Sequence, residues 1–409
     1  MTMIRTTTMI ALLLLAGCAA RAPRLADVAA PTQRPPVILI SVDGLRADYL
    51  TRGVTPNISA LAASGVRATA MRPSFPSLTF PNHYTLVTGM RPDNHGIVNN
   101  TMEDPRIPGV RFSLSNRAAV EDPRWWNEAE PIWVTAEKAG LKTATMFWPG
   151  SEAAIHGVRP TQWLPFDGKL PNSDRVAQIL AWVDQPARPA FMTLYLDTVD
   201  HDGHEFGPDA PETVKALAEV DAQIGALVAG LKARSVAANI VLVSDHGMAS
   251  VAPERVVRLD LTVPAGSFRT VSTGAVAGLE PMPGQGAVLA SALKRPHPHM
   301  TCWPRGAIPA RLHYGHNPRV PSFVCLAQPG WMILDRGPSE DKALGGMHGY
   351  DPAAPEMAAS FVAAGPAFRP GTVVAPFDNV DVYPVLTRLL GITPLPSDGK
   401  DRLAQAILR

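Results

Sequence analysis

Cysteine and net charge are both scarce in this chain. Cys18, Cys302 and Cys325 are its three cysteines among 409 residues, which rules out a disulfide framework standing in for a core. Lysine plus arginine (37) nearly balance aspartate plus glutamate (36), for a formal charge of +1. With no local basic run either, broad binding to a nucleic-acid polymer is excluded. The apolar stretch from Met9 to Ala16 is too short to cross a bilayer as a mature helix, which takes about 20 residues. No internal repeat recurs along the chain, so a solenoid or propeller is excluded.

The chain has ample apolar residues, at 46%, enough for a sizeable core, and 41 prolines. So much proline suits long, stiff loops better than a helical bundle. At the N-terminus, Arg5 precedes the apolar stretch, and Leu15-Ala16-Gly17-Cys18 follows it. This resembles a bacterial lipobox, in which Cys18 is lipidated and becomes the mature N-terminus. The segment 1–17 is then a signal peptide, and 18–36, rich in Ala, Pro and Arg, a flexible tether. The protein is expected in the bacterial envelope, anchored to a membrane through Cys18. In that oxidising compartment Cys302 and Cys325 read as one disulfide.

From Val37 onward, apolar runs of strand length alternate with helical patterns. "PPVILISVDG", "GVRATAM", "KTATMFW", "PAFMTLYLD" and "ANIVLVSDHG" read as strands. "PIWVTAEKAG", "DRVAQILAWVDQ", "PETVKALAEVDAQIGALVAGLKARS" and "NVDVYPVLTRLLG" read as helices. Thr55 caps a further helix that starts at Pro56 and closes at Gly65. The expected fold class is α/β, a mostly parallel sheet with helices on both faces. The alternation breaks in a Gly-, Pro- and His-rich stretch. The chain therefore divides into a catalytic core, 37–250 and 342–409, and an inserted smaller subdomain, 251–341.

Asp43, Asp200 and Asp245 all fall just beyond the ends of expected strands, where open α/β sheets bind their ligands. Three carboxylates meeting there would repel one another unless cations neutralise them. His204, His246 and His348 accompany them, and carboxylate plus neutral imidazole is a donor set that suits zinc. "DTVDHDGH" holds Asp-x-x-x-His twice, as Asp197/His201 and as Asp200/His204. Spacing alone does not choose. The glycine before His204 permits a tight loop that returns a ligand to a metal, which favours the second pair. His83, His95, His156 and His313 are read as ordinary histidines. In "PSFPSLTFPNHYTLVTG", Thr79 stands directly before an apolar segment. The residues alone allow a helix N-cap or a nucleophile at a helix start.

The ordered set "ISVDGLR", "PSLTFPNHYTLVTG", "HGIVNN", "VDHDGH", "SDHGM", "HGYDP" and "FDNVDVYPVLTRLLGI" resembles the nucleotide pyrophosphatase/phosphodiesterase family of the alkaline phosphatase superfamily, over about Val37 to Pro394. The resemblance implies an alkaline phosphatase-like fold and two Zn²⁺, one held by Asp43, Thr79, Asp245 and His246, the other by Asp200, His204 and His348. It makes Thr79 the nucleophile, activated by metal and favoured by the helix start. A phospho-threonine forms and is hydrolysed, releasing a nucleoside monophosphate from a nucleotide-type diester or pyrophosphate. Asn100 would hydrogen-bond a non-bridging phosphate oxygen, and Phe80 and Tyr195 would sandwich a nucleobase. Trp163 and Phe166 add to the pocket wall.

Neutral Asn100 suits a diester with its single negative charge. The Cys/Ser-x-Pro-x-Arg signature of the sulfatase relatives does not occur. Two rival readings stand beside this one. A phosphonate or phosphomonoester hydrolase could use the same scaffold. A non-catalytic envelope lipoprotein would keep the fold for binding, but would be expected to have lost Thr79 or a metal ligand.

Overall fold

Every residue of Val37–Val42 is buried, as expected of a strand covered on both faces. Alternate side chains go to opposite sides. Val37 and Leu39 join one hydrophobic cluster, and Ile38, Ile40 and Val42 the other. The structure, a computed structural model, describes residues 34–337 and 345–409. The signal segment, Cys18 and most of the tether lie outside the described residues, as does the expected boundary at 341/342. Pro35–Arg409 is one compact unit.

Twelve strands build two sheets: β1 (Val37–Val42), β2 (Val66–Ala68), β3 (Thr143–Met146), β4 (Gln162–Trp163), β5 (Phe191–Leu196), β6 (Asn239–Val243), β7 (Phe268–Ser272), β8 (Val276–Pro281), β9 (Met300–Pro304), β10 (Phe323–Ala327), β11 (Phe361–Ala364) and β12 (Thr372–Val374). The central sheet has eight strands in the order β12-β2-β11-β6-β1-β5-β3-β4. Within it β11 alone runs against its neighbours β6 and β2, and every other pairing is parallel. The α/β class and the mostly parallel sheet are therefore observed. "GVRATAM" is not one strand. It breaks after Ala68, and Met71–Arg72 leaves the central sheet to pair with Phe377–Asp378.

Helices cover both faces. α1 (Pro56–Ser64), α3 (Asn172–Val183) and α5 (Pro211–Ala233) place Ile58, Ile179 and Val220 in one cluster, while α2 (Thr79–Thr88) and α6 (Val382–Leu390) place Leu86 and Leu386 in the other. Thr55 does not cap α1: its side chain makes no capping bond. The carboxylate of Asp221, on α5, accepts the N–H of Asn57 at 3.0 Å and of Ile58 at 2.8 Å instead, which supplies the negative end the α1 terminus needs.

Within 251–341, β7, β8, β10 and β9 form a second, antiparallel sheet in that order. Cys302 on β9 and Cys325 on β10 stand directly opposite each other and are joined as a disulfide. Among the described residues, no helix is long and apolar enough to cross a membrane.

Candidate active site

β5, β1 and β6 are parallel neighbours, so their carboxyl ends open on one edge of the sheet, and each end leads into an acidic group. β1 runs into Asp43, β6 into Asp245-His246, and β5 into α4 (Thr198–Phe206), which carries Asp200 in its first turn and His204 in its last. Gly44, at φ +68°, lets α4 approach: a Cβ there would stand 3.1 Å from the Asp200 Cα. Gly247 serves the same purpose behind His246, where a Cβ would meet the Glu356 carbonyl oxygen at 2.0 Å.

"VDHDGH" is therefore a helix and not the tight loop expected. Asp200 and His204 share a face because they are four residues apart on α4, and Gly203 has no left-handed conformation to contribute. The imidazole Nε2 of His204 lies 3.5 Å from Asp200 Oδ2. The rival pair is drawn away from this cluster. Asp197 accepts from the buried guanidinium of Arg175 at 2.7 Å, and His201 is 73% exposed beside Glu205.

Thr79 opens α2 as its first helical residue. It is not the N-cap, a position held by Leu78, and its side chain makes no capping bond. The turn is held by a residue that the sequence reading did not single out. Buried Asn82 accepts from the N–H of Ser74 at 2.7 Å and donates to the carbonyls of Pro76 and Leu78, both at 2.9 Å. Asn379 donates to the same Asn82 oxygen at 2.9 Å. All four hydrogen-bonding positions of this carboxamide are used. The preceding Thr79 Oγ1 is left facing His246 Nε2 at 3.3 Å.

Two donor clusters result, Asp43/Asp245/His246 and Asp200/His246/His348, each with its atoms within 4.8 Å of one another. In the first, His246 Nε2 is 2.9 Å from Asp245 Oδ2 and 3.4 Å from Asp43 Oδ1. In the second, His348 Nε2 is 3.7 Å from Asp200 Oδ1. The rings of His246 and His348 stack at 3.5 Å. Each histidine turns Nδ1 to a backbone carbonyl: His246 to Gly247, His348 to Ser77 and His204 to Gly346, all at 2.9 Å. A carbonyl only accepts, so Nδ1 carries the hydrogen and Nε2 keeps a lone pair, which His246 and His348 bring to the clusters, while His204 stands outside both, its Nε2 beside Asp200.

The carboxylates fit a cation and little else. Asp43 Oδ1, Asp200 Oδ1 and Asp245 Oδ2 are buried without a hydrogen bond, an arrangement that is costly unless positive charge is supplied. Burial, then the charges of Asp245 and Asp200, push Asp43 well above the usual carboxylate range. Burial likewise raises Asp200. Burial would raise Asp245 too, but the imidazoles of His246 and His83 outweigh it and hold it low. Burial acts to lower His246, yet the Asp245 charge prevails and raises it. Burial, then His246 and His204, hold His348 well below its ordinary value. Positive charge is thus most favoured between His246 and Asp245.

A cavity of about 280 Å³ opens beside Thr79, lined among others by Phe80, Trp148, Glu152 and Phe166. Asn100 accepts the N–H of Phe80, the residue after Thr79, at 2.9 Å. Phe80 packs on Phe112 and Trp126. Tyr195 lines the same cavity. It is buried on β5, and its hydroxyl donates to Asp43 Oδ2 at 2.6 Å. Phe166, 44% exposed on the cavity, presents the freer ring.

Buried carboxylates, inward-facing imidazoles and a hydroxyl at a helix start, all at the carboxyl edge of an α/β sheet, make a candidate metal centre of the kind hydrolases use. Residues 37–351 match the family described as type I phosphodiesterase / nucleotide pyrophosphatase, and the chain belongs to that family of hydrolases. It is 39% identical to an uncharacterised pyrophosphatase/phosphodiesterase of Schizosaccharomyces pombe over 380 residues, 89% of this chain and 78% of that one. It is 37% identical to human ectonucleotide pyrophosphatase/phosphodiesterase family member 1 over 90% of its own length, but only 41% of the relative's. The solved structure of human family member 5 superposes with a TM-score of 0.87 at 35% identity, covering 91% of this chain and 99% of that one. An inactive threonine-to-alanine variant of murine family member 5, in complex with AMP, matches equally well, with a TM-score of 0.87 at 36% identity and coverage of 91% and 100%.

Proposed function

We propose that this protein is a two-zinc phosphodiesterase that cleaves nucleotide-type diesters and pyrophosphates to nucleoside monophosphates through a phospho-threonine on Thr79. The observation that carries the reading is a pair of buried donor clusters sharing His246, with three carboxylate oxygens left without a hydrogen bond and the Thr79 hydroxyl 3.3 Å from the His246 Nε2. Asp43, Thr79, Asp245 and His246 would hold one ion, and Asp200, His204 and His348 the other. His246 lies within reach of both clusters. Bound divalent ions would lower the pKa of the hydroxyl and neutralise charge on attacking and leaving oxygens.

The chain's own groups do the rest. Thr79 Oγ attacks phosphorus and the bond to the leaving oxygen breaks, which leaves the nucleoside monophosphate esterified through its phosphorus to Thr79. Water then attacks that phosphorus, the P–Oγ bond breaks, and the nucleoside monophosphate departs with the Thr79 hydroxyl restored. The Asn100 amide donates to a non-bridging phosphate oxygen, and the helix start adds a favourable dipole. Phe80 and Phe166 offer aromatic faces for a base. Among the described residues lining the cavity, Arg117 is the one arginine, and it is paired with Glu152. That leaves no strong cation at Thr79 for the second negative charge of a monoester. The AMP complex of the murine relative supports a nucleotide in this cavity.

The lipobox reading completes the proposal: an exported protein held at the bacterial envelope by Cys18. The segment 251–341 would form a subdomain bordering the leaving-group side. Elemental analysis should find about two zinc ions per chain. Thr79→Ala should retain metal, since the other ligands remain, and lose diester turnover by about three orders of magnitude or more. Rapid quench with a diester labelled in its nucleoside should trap the nucleotidyl group on Thr79. Near-native turnover by Thr79→Ala would overturn the covalent route.

A further inference from the structure

Histidine 83 is fully buried on α2, one turn beyond Thr79. Its side chain leans back toward the helix start, as long side chains on helices do, and Nδ1 meets the Thr79 carbonyl oxygen at 2.8 Å. That oxygen only accepts, so Nδ1 carries the hydrogen. The same hydrogen faces Asp245 Oδ2 at 3.4 Å. On the far side of the ring, Nε2 lies 2.8 Å from the hydroxyl of Ser41, a buried residue of β1 two positions before Asp43. The ring is packed edge to face against Trp148 at 4.9 Å and Tyr195 at 5.1 Å. The Trp148 indole N–H donates to the His83 carbonyl at 3.1 Å. Every polar atom of His83 is therefore directed, and the ring has no second orientation open to it.

We infer that His83 is a positioning residue for the reaction: it clamps the Thr79 main chain to β1 and Asp245, fixing where the hydroxyl stands relative to both donor clusters. This rests on the reading of Thr79 as nucleophile. The physical case is one of leverage. The N-cap residue Leu78 supplies no side-chain bond to α2, and Asn100 holds the Phe80 N–H but nothing on the carbonyl side of Thr79, which is where His83 acts. A shift of about 1 Å at a nucleophile can lower turnover about a hundredfold. Asn82 fixes the loop before Thr79, and His83 fixes the peptide after it. The bond from Ser41 links that peptide to the strand that delivers Asp43.

The test compares His83→Leu, which fills the space but donates nothing, with His83→Asn, whose amide can stand in for Nδ1–H. With a nucleotide diester, His83→Leu should lower kcat by about 30- to 100-fold while KM changes by less than about threefold. His83→Asn should recover most of the loss. Zinc content by elemental analysis and AMP affinity by calorimetry should match the parent in both variants, and Ser41→Ala should share the kcat defect in milder form. If both His83 variants lose turnover equally, or if the loss tracks lost zinc or a collapsed melting temperature, His83 is a packing residue and the inference falls. Thr79→Ala, run alongside, separates the two levels. If it stays active, the nucleophile assignment is wrong whatever His83 does. If it is dead while His83→Leu is near native, only the clamp is wrong.

Discussion

Tyr195 illustrates what individual residues revealed and what they concealed. Its place in the family pattern suggested a stacking platform, and it does line the cavity, but nothing in residue type or spacing announced that its hydroxyl would donate to Asp43. Tyr195→Phe removes one short hydrogen bond while keeping the ring. It should weaken zinc binding by about 10- to 100-fold, as loss of a partner to a metal ligand does, and leave KM for a nucleotide substrate within about threefold. Competition with a chromogenic chelator measures the first and steady-state kinetics the second. The acidic and imidazole groups that cluster here were conspicuous as candidates because carboxylates at strand ends stand out chemically. Asn82 and His83 were not, because their role is to hydrogen-bond backbone carbonyls, which leaves no trace in residue type or spacing. Thr79 was legible as special but not as a non-cap, since one residue of helix phase separates the two states.

At the scale of elements, the helices with a clear apolar period and the fully apolar strands were legible, while short strands and exact helix starts were not. "VDHDGH" has too few apolar residues to show a helical period, so α4 was hidden, yet its helicity is what selects Asp200 with His204. His204→Ala should lose about one zinc per chain and most activity. His201→Ala, on the solvent side of the same helix, should keep both, as elemental analysis and a diester assay would show. Behind α2, His95 accepts the Ile97 N–H on Nδ1 and so presents Nε2–H to the Pro81 carbonyl at 3.1 Å. Burial pushes its pKa down to about 3, against about 6.5 unfolded. Between those values the unfolded chain binds the extra proton, so this histidine's contribution is present above about pH 6.5 and is lost as pH falls toward 3, by at most about 1.4 kcal/mol per pH unit. His95→Gln lacks that titration. Its stability deficit relative to the parent should therefore shrink between pH 7 and pH 5 in denaturant melts.

For the whole molecule, the alternation of strand and helix was enough to give the class and the edge on which the site lies. The segment around the second sheet was legible only as an interruption, because its strands run antiparallel and pair with one another and not with the alternating core. Its disulfide closes a loop between residues 23 apart in sequence, for which chain entropy predicts about 3 kcal/mol of stabilisation. Replacing Cys302 and Cys325 together by alanine should lower unfolding stability by about that much. Zinc content should be unchanged, since neither cysteine belongs to a donor cluster.

The one reversed strand, β11, has a bearing on how the chain reaches this state. It lies between β6 and β2 and pairs with both, while the other neighbour of β2 is β12. Both partners of β2 thus come from the last fifty or so residues of the sequence. During synthesis, β1, β5, β6 and β3 can assemble around the nascent site, but β6 keeps an open edge and β2 waits unpaired until β11 emerges. Pairings of such long sequence separation form slowly, and an unpaired apolar edge invites association with other chains. The antiparallel strand works as the closing stitch of the sheet. Until it is placed, the candidate donors at the ends of β1 and β6 stand on a sheet with one side still open.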